Sequence, residues 1–352
     1  MIITRTPFRI TLGGGGTDLP SFYREHGGFV FTMAINKYMH VIVHRLPVME
    51  RRFVIRYSKV ESVPSVNDIE HPIVREALKL HEISDFLEIT SIADIPAKTG
   101  LGSSGAYTVG LLKALRTLKD MASEPADVAH EACHLEMDIL QDPVGKQDQY
   151  IAAYGGFRTL DIAKDGTVKV SSVPVDSYVV AELVQKACVY YTGIQRSAAV
   201  VLREQADGVG RSDSGASSQT KRSTQVEDSL LRIKDIGYQI TQAFRDRDLD
   251  RFGVLMDEHW QSKRQLSGKV TLSAVEELYD LTKKEFGVLG GKIIGAGGGG
   301  FVMLYAPTRQ RELDDFMASR GMPRVSFFPS MRGSTVVSDM QAADNFERVA
   351  AS

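Results

Sequence analysis

Two stretches of this sequence hold residues able to cradle phosphate and to position a hydroxyl for attack. The first is Pro96-Ala97-Lys98-Thr99-Gly100-Leu101-Gly102-Ser103-Ser104-Gly105-Ala106, set between a strand-like run and an apolar helical run. Glycines there let several backbone N–H groups converge on one anion, and a helix start adds a partial positive charge that attracts phosphate. Ser103 and Ser104 supply hydroxyls that can cap the helix, bind phosphate or reach a metal ion on it. The chain has no Gly-Lys-Ser/Thr of the Walker type, so the design is a different one. The second stretch runs from Glu131 to Tyr150 and offers carboxylates. Phosphoryl transfer needs charge neutralisation and a group that orients the attacking hydroxyl, and Mg²⁺ favours one or two carboxylates plus phosphate oxygens. Glu136 sits at the border of an apolar helical stripe, and Asp148 follows a loop in Gly145-Lys146-Gln147-Asp148-Gln149-Tyr150. Asp138 and Asp142 are rivals for both roles.

Two further glycine runs stand at Gly13–Gly16 and Gly295–Gly300. The second has the spacing of a dinucleotide fingerprint through Gly295, Gly297 and Gly300. That fingerprint must open a helix, and Phe301–Tyr305 reads as a strand, so a wide hairpin is expected. Its backbone would approach a neighbouring loop or a ligand, and spacing does not decide which.

The elements that must hold these groups follow from periodicity. Strands are expected at Ile2–Arg5, Phe8–Leu12, Gly28–Ile35, Met39–Leu46, Phe53–Tyr57 and Leu87–Ile92, with a short helix at His71–Leu80. A helix from Ser104 to Lys119 carries the stripe Leu111, Leu115 and Leu118. Another starts at Ser123 with Pro125 and repeats Val128, Ala132, Leu135 and Ile139. Lys186–Tyr191 reads as a buried strand opening a second domain. Helices follow at Glu227–Arg247, Asp248–Gln265 and Ser273–Phe286, then strands at Lys292–Ile294, Phe301–Tyr305 and Arg324–Phe328. Asp207–Gln225, poor in apolar residues, reads as a surface loop or a lid. The expectation is an α+β chain of two domains, 1–185 and 186–352.

At 352 residues two domains are the default, and a net charge of −2 without a Lys/Arg block gives no reason to expect nucleic acid or membrane as partner. Cys133 and Cys188 lack metal-ligand spacing and read as buried thiols of a reducing compartment. Arg5 and Arg9 interrupt the apolar N-terminus, and no run approaches the roughly 18 apolar residues of a membrane span, so a cytoplasmic location is expected.

Three segments in this order resemble the motifs of the GHMP small-molecule kinases: Pro7-Phe8-Arg9-Ile10-Thr11-Leu12 with Gly13–Gly16, Thr17 and Asp18; then Pro96–Ala106; then Lys292–Phe301. Gly-Gly-Gly-Gly-Thr-Asp, the Gln-Asp-Gln-Tyr segment and Tyr191-Thr192-Gly193 with Arg196 resemble most the D-glycero-D-manno-heptose 7-phosphate 1-kinase branch, which feeds nucleotide-heptose synthesis for surface glycans. The resemblance implies an N-terminal domain like ribosomal protein S5 domain 2 and a ferredoxin-like C-terminal domain. It implies ATP and Mg²⁺, with the phosphates on Lys98, Gly100, Leu101, Gly102, Ser103, Ser104, Gly105 and Ala106. Asp148 would be the base, paired with Arg9, and Ser104 with Glu136 would bind Mg²⁺. Asp18, Gly15, Gly16, Thr17, Tyr191, Gly193, Arg196, Gly297 and Gly298 would meet the sugar. Gly15-Gly16 replaces the Glu-His of galactokinase, which argues against galactose. Gly105 replaces an alanine found in many relatives, a change expected to be tolerated.

The reaction so implied is transfer of the γ-phosphoryl group of ATP to the anomeric hydroxyl of a heptose 7-phosphate. Lys37, Arg196, Lys263 and Arg264 are candidates for the substrate's own phosphate, and each is equally explained as a surface charge. The alternatives are a kinase of an unphosphorylated sugar such as fucose or galactose, an inactive sugar-sensing protein of the same fold, and an NAD-dependent enzyme. A homodimer is left open.

Overall fold

The computed structural model describes residues 1–46, 51–194, 217–266, 273–295 and 300–341. Strand β1 (Ile2–Gly13) is continuous where the sequence suggested two strands, and so is the 18-residue β2 (Gly28–Arg45). Pro7 is the reason. It has no N–H to give the ladder, and the β1–β2 pairing shifts register between Pro7 and Phe8, so the interruption becomes a bulge instead of a turn.

Among the described residues eight strands form one mixed sheet. β1 and β2 are joined by β3 (Phe53–Arg56), β4 (Val60–Val63) and β5 (Leu87–Ala93), with β6 (Phe157–Ile162) and β7 (Val168–Ser172) on the other half of β2. Residues Gly28–Met33 of β2 pair with β6, and Met39–Arg45 pair with β5. Helices α1 (Pro20–His26) and α2 (Pro72–Leu80) precede α3 (Ser103–Leu118), which lies on β1 and β2. Leu111, Leu115 and Leu118 of α3 are buried, each contributing roughly 1.5–3 kcal/mol of apolar burial. Gly110 lets α3 come this close: a β-carbon there would stand 2.8 Å from the Thr6 hydroxyl on β1.

Helix α4 (Pro125–Cys133) runs into a π-helical segment, His134–Ile139, in which Leu140 N–H bonds Leu135 C=O. The wider turn breaks the expected stripe. Ile139, predicted to be buried, is 38% exposed, and Glu136 is fully buried instead. Helix α5 (Gln147–Tyr154) follows and packs on α3, α4 and β1.

After α6 (Ser177–Lys186) a second sheet forms in the order β8 (Ala187–Tyr191), β10 (Phe301–Tyr305) and β9 (Gly290–Ile293). The strand expected at Arg324–Phe328 is reduced to one bridge, Arg324 opposite Tyr190 on the free side of β8. This is the ferredoxin-like order with its fourth strand cut to a single pair. Of the expected loop Asp207–Gln225, residues 207–216 lie outside the described residues, and the remainder opens helix α7 (Ser217–Arg245). Helix α8 (Leu249–Arg264) is capped by Asp248, whose carboxylate accepts from Arg251 N–H at 2.9 Å. Helices α9 (Ser273–Phe286) and α10 (Gln310–Ser319) complete this half. The strand β11 (Thr335–Asp339), absent from the sequence reading, returns to the large sheet and pairs with β1. Among the described residues no helix is long and apolar enough to cross a membrane.

Candidate active site

The three glycine runs have different physical tasks. In the first, Gly13 and Gly14 let β1 pass against α7: a β-carbon on Gly13 would stand 2.9 Å from Gly237 Cα, and one on Gly237 would stand 3.0 Å from Gly14 N. In the second, Gly100 and Gly102 adopt φ of +85° and +78°, turning the chain so that α3 begins at Ser103. The third run braces the second. A β-carbon on Gly295 would meet Gly100 Cα at 2.6 Å, and one on Gly300 would meet Thr99 O at 2.1 Å. The described ends of this hairpin thus approach a neighbouring loop. Gly297 and Gly298 lie outside the described residues.

A cleft of about 200 Å³ opens where these runs meet, between the two sheets. Lys98, Gly100, Gly102, Ser103 and Ser104 line it from the loop, and Gly15, Gly16 and Asp18 from the first run. Leu101 and Ala106 are buried behind the loop, and Leu101 C=O accepts the N–H of Arg9 at 3.1 Å. Gly105 faces Asp148.

Arg9 and Asp148 form an ion pair with Nε to Oδ1 at 2.7 Å. The same guanidinium donates to Gly100 C=O, so one side chain ties β1, the loop and α5 together. Asp148 keeps 26% of its side-chain surface exposed, toward the cleft, while Arg9 is buried. The pair therefore presents an oriented carboxylate beside a helix start.

Ser104 Oγ donates to Glu136 Oε1 at 2.6 Å, and Gln149 Nε2 donates to Glu136 Oε2 at 2.6 Å. Burial outweighs both hydrogen bonds and, with the Asp148 charge nearby, pushes the Glu136 carboxyl up to about 7. A buried carboxylate with one hydroxyl beside it, at the start of a helix, is the donor set Mg²⁺ takes when phosphate oxygens supply the rest. The residues fit the ion. Among the described residues no three His, Cys, Asp or Glu side chains converge into a cage of their own.

Asp18 is buried and accepts from Gln147 N–H at 3.1 Å, from Gln147 Nε2 at 3.3 Å and from Gly16 N–H at 3.2 Å. Burial raises its pKa against those bonds. Gly145 makes the approach fit, since a β-carbon there would stand 2.0 Å from Asp18 Oδ2.

Several expected sugar contacts are placed elsewhere. Thr17 has its hydroxyl committed to backbone, donating toward Gly14 C=O and Phe29 C=O and accepting from Phe29 N–H, so it pins the turn and does not line the cleft. Tyr191 lies with its ring tilted against Phe301 in the second sheet, and Gly193 (φ +73°) has no neighbour within 4 Å of an added β-carbon among the described residues. Neither lines the cleft. Arg196 lies outside the described residues. Of the candidate cations, Arg264 pairs with Glu276 at 3.1 Å, and Lys37 is absent from the cleft lining. Lys263 is no surface charge: it is buried in the cleft wall and donates to Gly295 C=O. His259 and Lys292 also line the cleft, and sequence reasoning missed both. A histidine one turn before a lysine on a helix was the available signal for the first.

With Gly300 leading into strand β10 and not into a helix, the dinucleotide reading falls. The arrangement is that of a phosphotransferase for small molecules. The N-terminal domain model of the GHMP kinases matches residues 72–156, and the C-terminal model of the same kinases matches residues 240–317. The chain thus carries both the N-terminal and the C-terminal domain of the GHMP kinases, which use ATP as phosphoryl donor. It is 24% identical to the D-glycero-alpha-D-manno-heptose 7-phosphate kinase of Campylobacter jejuni over 89% of this chain and 91% of that protein. It is 25% identical to the L-fucokinase/L-fucose-1-P guanylyltransferase of Bacteroides fragilis over 87% of this chain, which spans 34% of that longer protein. Among solved structures, a D-glycero-D-manno-heptose 1-phosphate kinase from Bacteroides thetaiotaomicron superposes with a TM-score of 0.77 at 21% identity, covering 96% of this chain and 99% of that one.

Proposed function

We propose that this ATP-dependent sugar kinase transfers the γ-phosphoryl group of ATP to the anomeric hydroxyl of D-glycero-D-manno-heptose 7-phosphate. The observation that carries the reading is the Arg9–Asp148 pair at the mouth of the Gly100–Ser104 turn. In this reading the loop amides and the start of α3 hold the donor phosphates. Asp148 orients the acceptor hydroxyl and takes its proton as the oxygen–phosphorus bond forms, and Arg9 keeps the carboxylate in place while its charge faces the transferred group. Asp18, fixed by Gln147 and Gly16, receives the sugar hydroxyls. Ser104 and Glu136 would hold Mg²⁺, which when bound neutralises charge on the donor phosphates. Glu136 would hold the ion as a carboxylate, the form that its burial otherwise disfavours.

Heptose phosphate kinases among the relatives support the acceptor named here, and the fucokinase similarity supports an unphosphorylated sugar as the second reading. The test is a panel of sugars and sugar phosphates with ATP and Mg²⁺, read by phosphorus NMR. Heptose 7-phosphate giving an anomeric phosphate supports the proposal, and turnover of fucose alone replaces it by the second reading. Asp148→Asn should lower kcat by roughly 10²–10⁴-fold while an ATP analogue still binds. An unchanged kcat would remove Asp148 from the mechanism.

A further inference from the structure

We propose that His259, Lys263 and Lys292 form a subsite for a phosphate group carried by the acceptor itself, an inference that rests on reading the cleft as that of a sugar kinase. All three line the cleft from α8 and β9, not from the elements that build the donor loop. His259 and Lys263 are four residues apart on α8 and so share one face of it.

Lys292 is 3% exposed and Lys263 6%. Each ammonium has a main-chain oxygen as its hydrogen-bond partner, Leu12 C=O at 3.0 Å for Lys292 and Gly295 C=O for Lys263. Among the described residues neither has a carboxylate within ion-pair distance. Burial, with Lys263 and Arg9 nearby, pushes the Lys292 ammonium well below its ordinary pKa, and burial with Arg9 lowers that of Lys263 against the partial opposition of Asp18, so both charges are disfavoured in an empty cleft and an anion there favours them. His259 lines the same cleft within reach of both lysine charges, 1% exposed, with neither ring nitrogen hydrogen-bonded among the described residues. Burial and the two lysine charges keep this imidazole neutral, so it offers one N–H donor and one lone pair. Two cations and one directed N–H are the complement of a phosphate dianion.

The position favours the acceptor over the donor. The donor's phosphates already have the amides of Gly100–Ala106, the start of α3 and Arg9. Of the cleft carboxylates, the one whose charge bears on Lys263 is Asp18, assigned above to the sugar. A sugar held by Asp18 with its far phosphate on Lys263, Lys292 and His259 would lie with its reacting end toward Asp148.

The test uses full-length protein saturated with AMP-PNP and Mg²⁺, titrated calorimetrically with inorganic phosphate, heptose 7-phosphate and unphosphorylated heptose. Wild type should bind phosphate and prefer the phosphorylated sugar. Lys263→Met and Lys292→Met should each weaken phosphate binding about 10-fold or more, and His259→Gln by about 3–10-fold, with a matching fall in the preference ratio. Should Lys292→Met fail to fold, the other two variants decide. An unchanged ratio in folded variants overturns the proposal, as does a loss of AMP-PNP affinity in its place, which would assign the group to the donor. Phosphate binding that depends on these residues, in an enzyme that does not turn over heptose 7-phosphate, leaves the subsite standing and removes the substrate named above.

Discussion

A β-carbon built on Gly105 would stand 2.7 Å from the β-carbon of Asp148 and 3.1 Å from its carbonyl carbon. The glycine is the reason α3 and α5 approach closely enough for the carboxylate to meet Arg9 over the loop. From the sequence, glycine here read as a tolerated departure from the alanine of many relatives. The geometry makes it a requirement in this chain, because the atoms an alanine would meet belong to a β-carbon and a main chain that have no rotamer to escape into.

Gly105→Ala should therefore displace Asp148. The expected result is a loss of about 1–3 kcal/mol in urea unfolding and a fall in kcat of roughly 10–100-fold with ATP affinity retained. Parallel measurement of stability and steady-state kinetics checks it, and wild-type values in both would show that α5 can shift freely.

Gly300→Ala tests the brace between the third run and the donor loop. At φ +87° and 2.1 Å from Thr99 O, an added β-carbon both strains the main chain and pushes the loop away. The KM for ATP should rise about 10-fold or more, and the strained residue alone should cost about 1–2 kcal/mol. Nucleotide titration of the variant, followed by a thermal melt, reads both.

Arg9→Lys keeps the charge and loses the fork. A lysine cannot meet Asp148 and Gly100 C=O together as Arg9 does. The variant should retain its fold and lose roughly 10²-fold in kcat, since the carboxylate is no longer held in register with the loop. Single-turnover kinetics would separate this from a binding defect.

The fold was legible wherever local pattern decides it. The sequence of strands along the chain and the helix after the loop followed from periodicity, and glycine spacing and family motifs pointed to Ser104, Arg9 and Asp148, which the fold brings to one cleft. What was not legible depended on non-local geometry. The burial of Glu136 comes from a π turn that periodicity does not announce, and Thr17 looked like a sugar contact because nothing in the sequence shows that Phe29 takes its hydroxyl. Lys263 read as an ordinary surface charge and Lys292 only as the start of a strand and of the third motif, since it takes the folding of α8 and β9 over β1 to put them in the cleft. The bridge at Arg324 and the strand β11 were misjudged because one pairing is shorter, and the other more distant, than a sequence window can register.

Lys263 should leave a signature in the pH dependence of stability. Burial, reinforced by the Arg9 charge and only partly opposed by Asp18, lowers its pKa from 10.5 to about 8. A lowered ammonium pKa means the folded state binds fewer protons than the unfolded one between those values. The burial cost is then fully present below pH 8 and fades as pH rises toward 10.5, at most on the order of 3 kcal/mol. Lys263→Met should be more stable than wild type at pH 7, and the difference should shrink by pH 10. Urea titrations at both pH values, with His259 and Lys292 unaltered, measure it, and a pH-independent difference would show that Lys263 is not the group responsible.

The pairing of Thr335–Asp339 with the first strand also sets the order in which the molecule can be finished. While a ribosome is still making the C-terminal half, the outer edge of Ile2–Arg5 stays open, its amides and carbonyls free to recruit any passing strand. Closure waits for a segment more than three hundred residues away, so a slow final step and a window for misassembly are written into the topology.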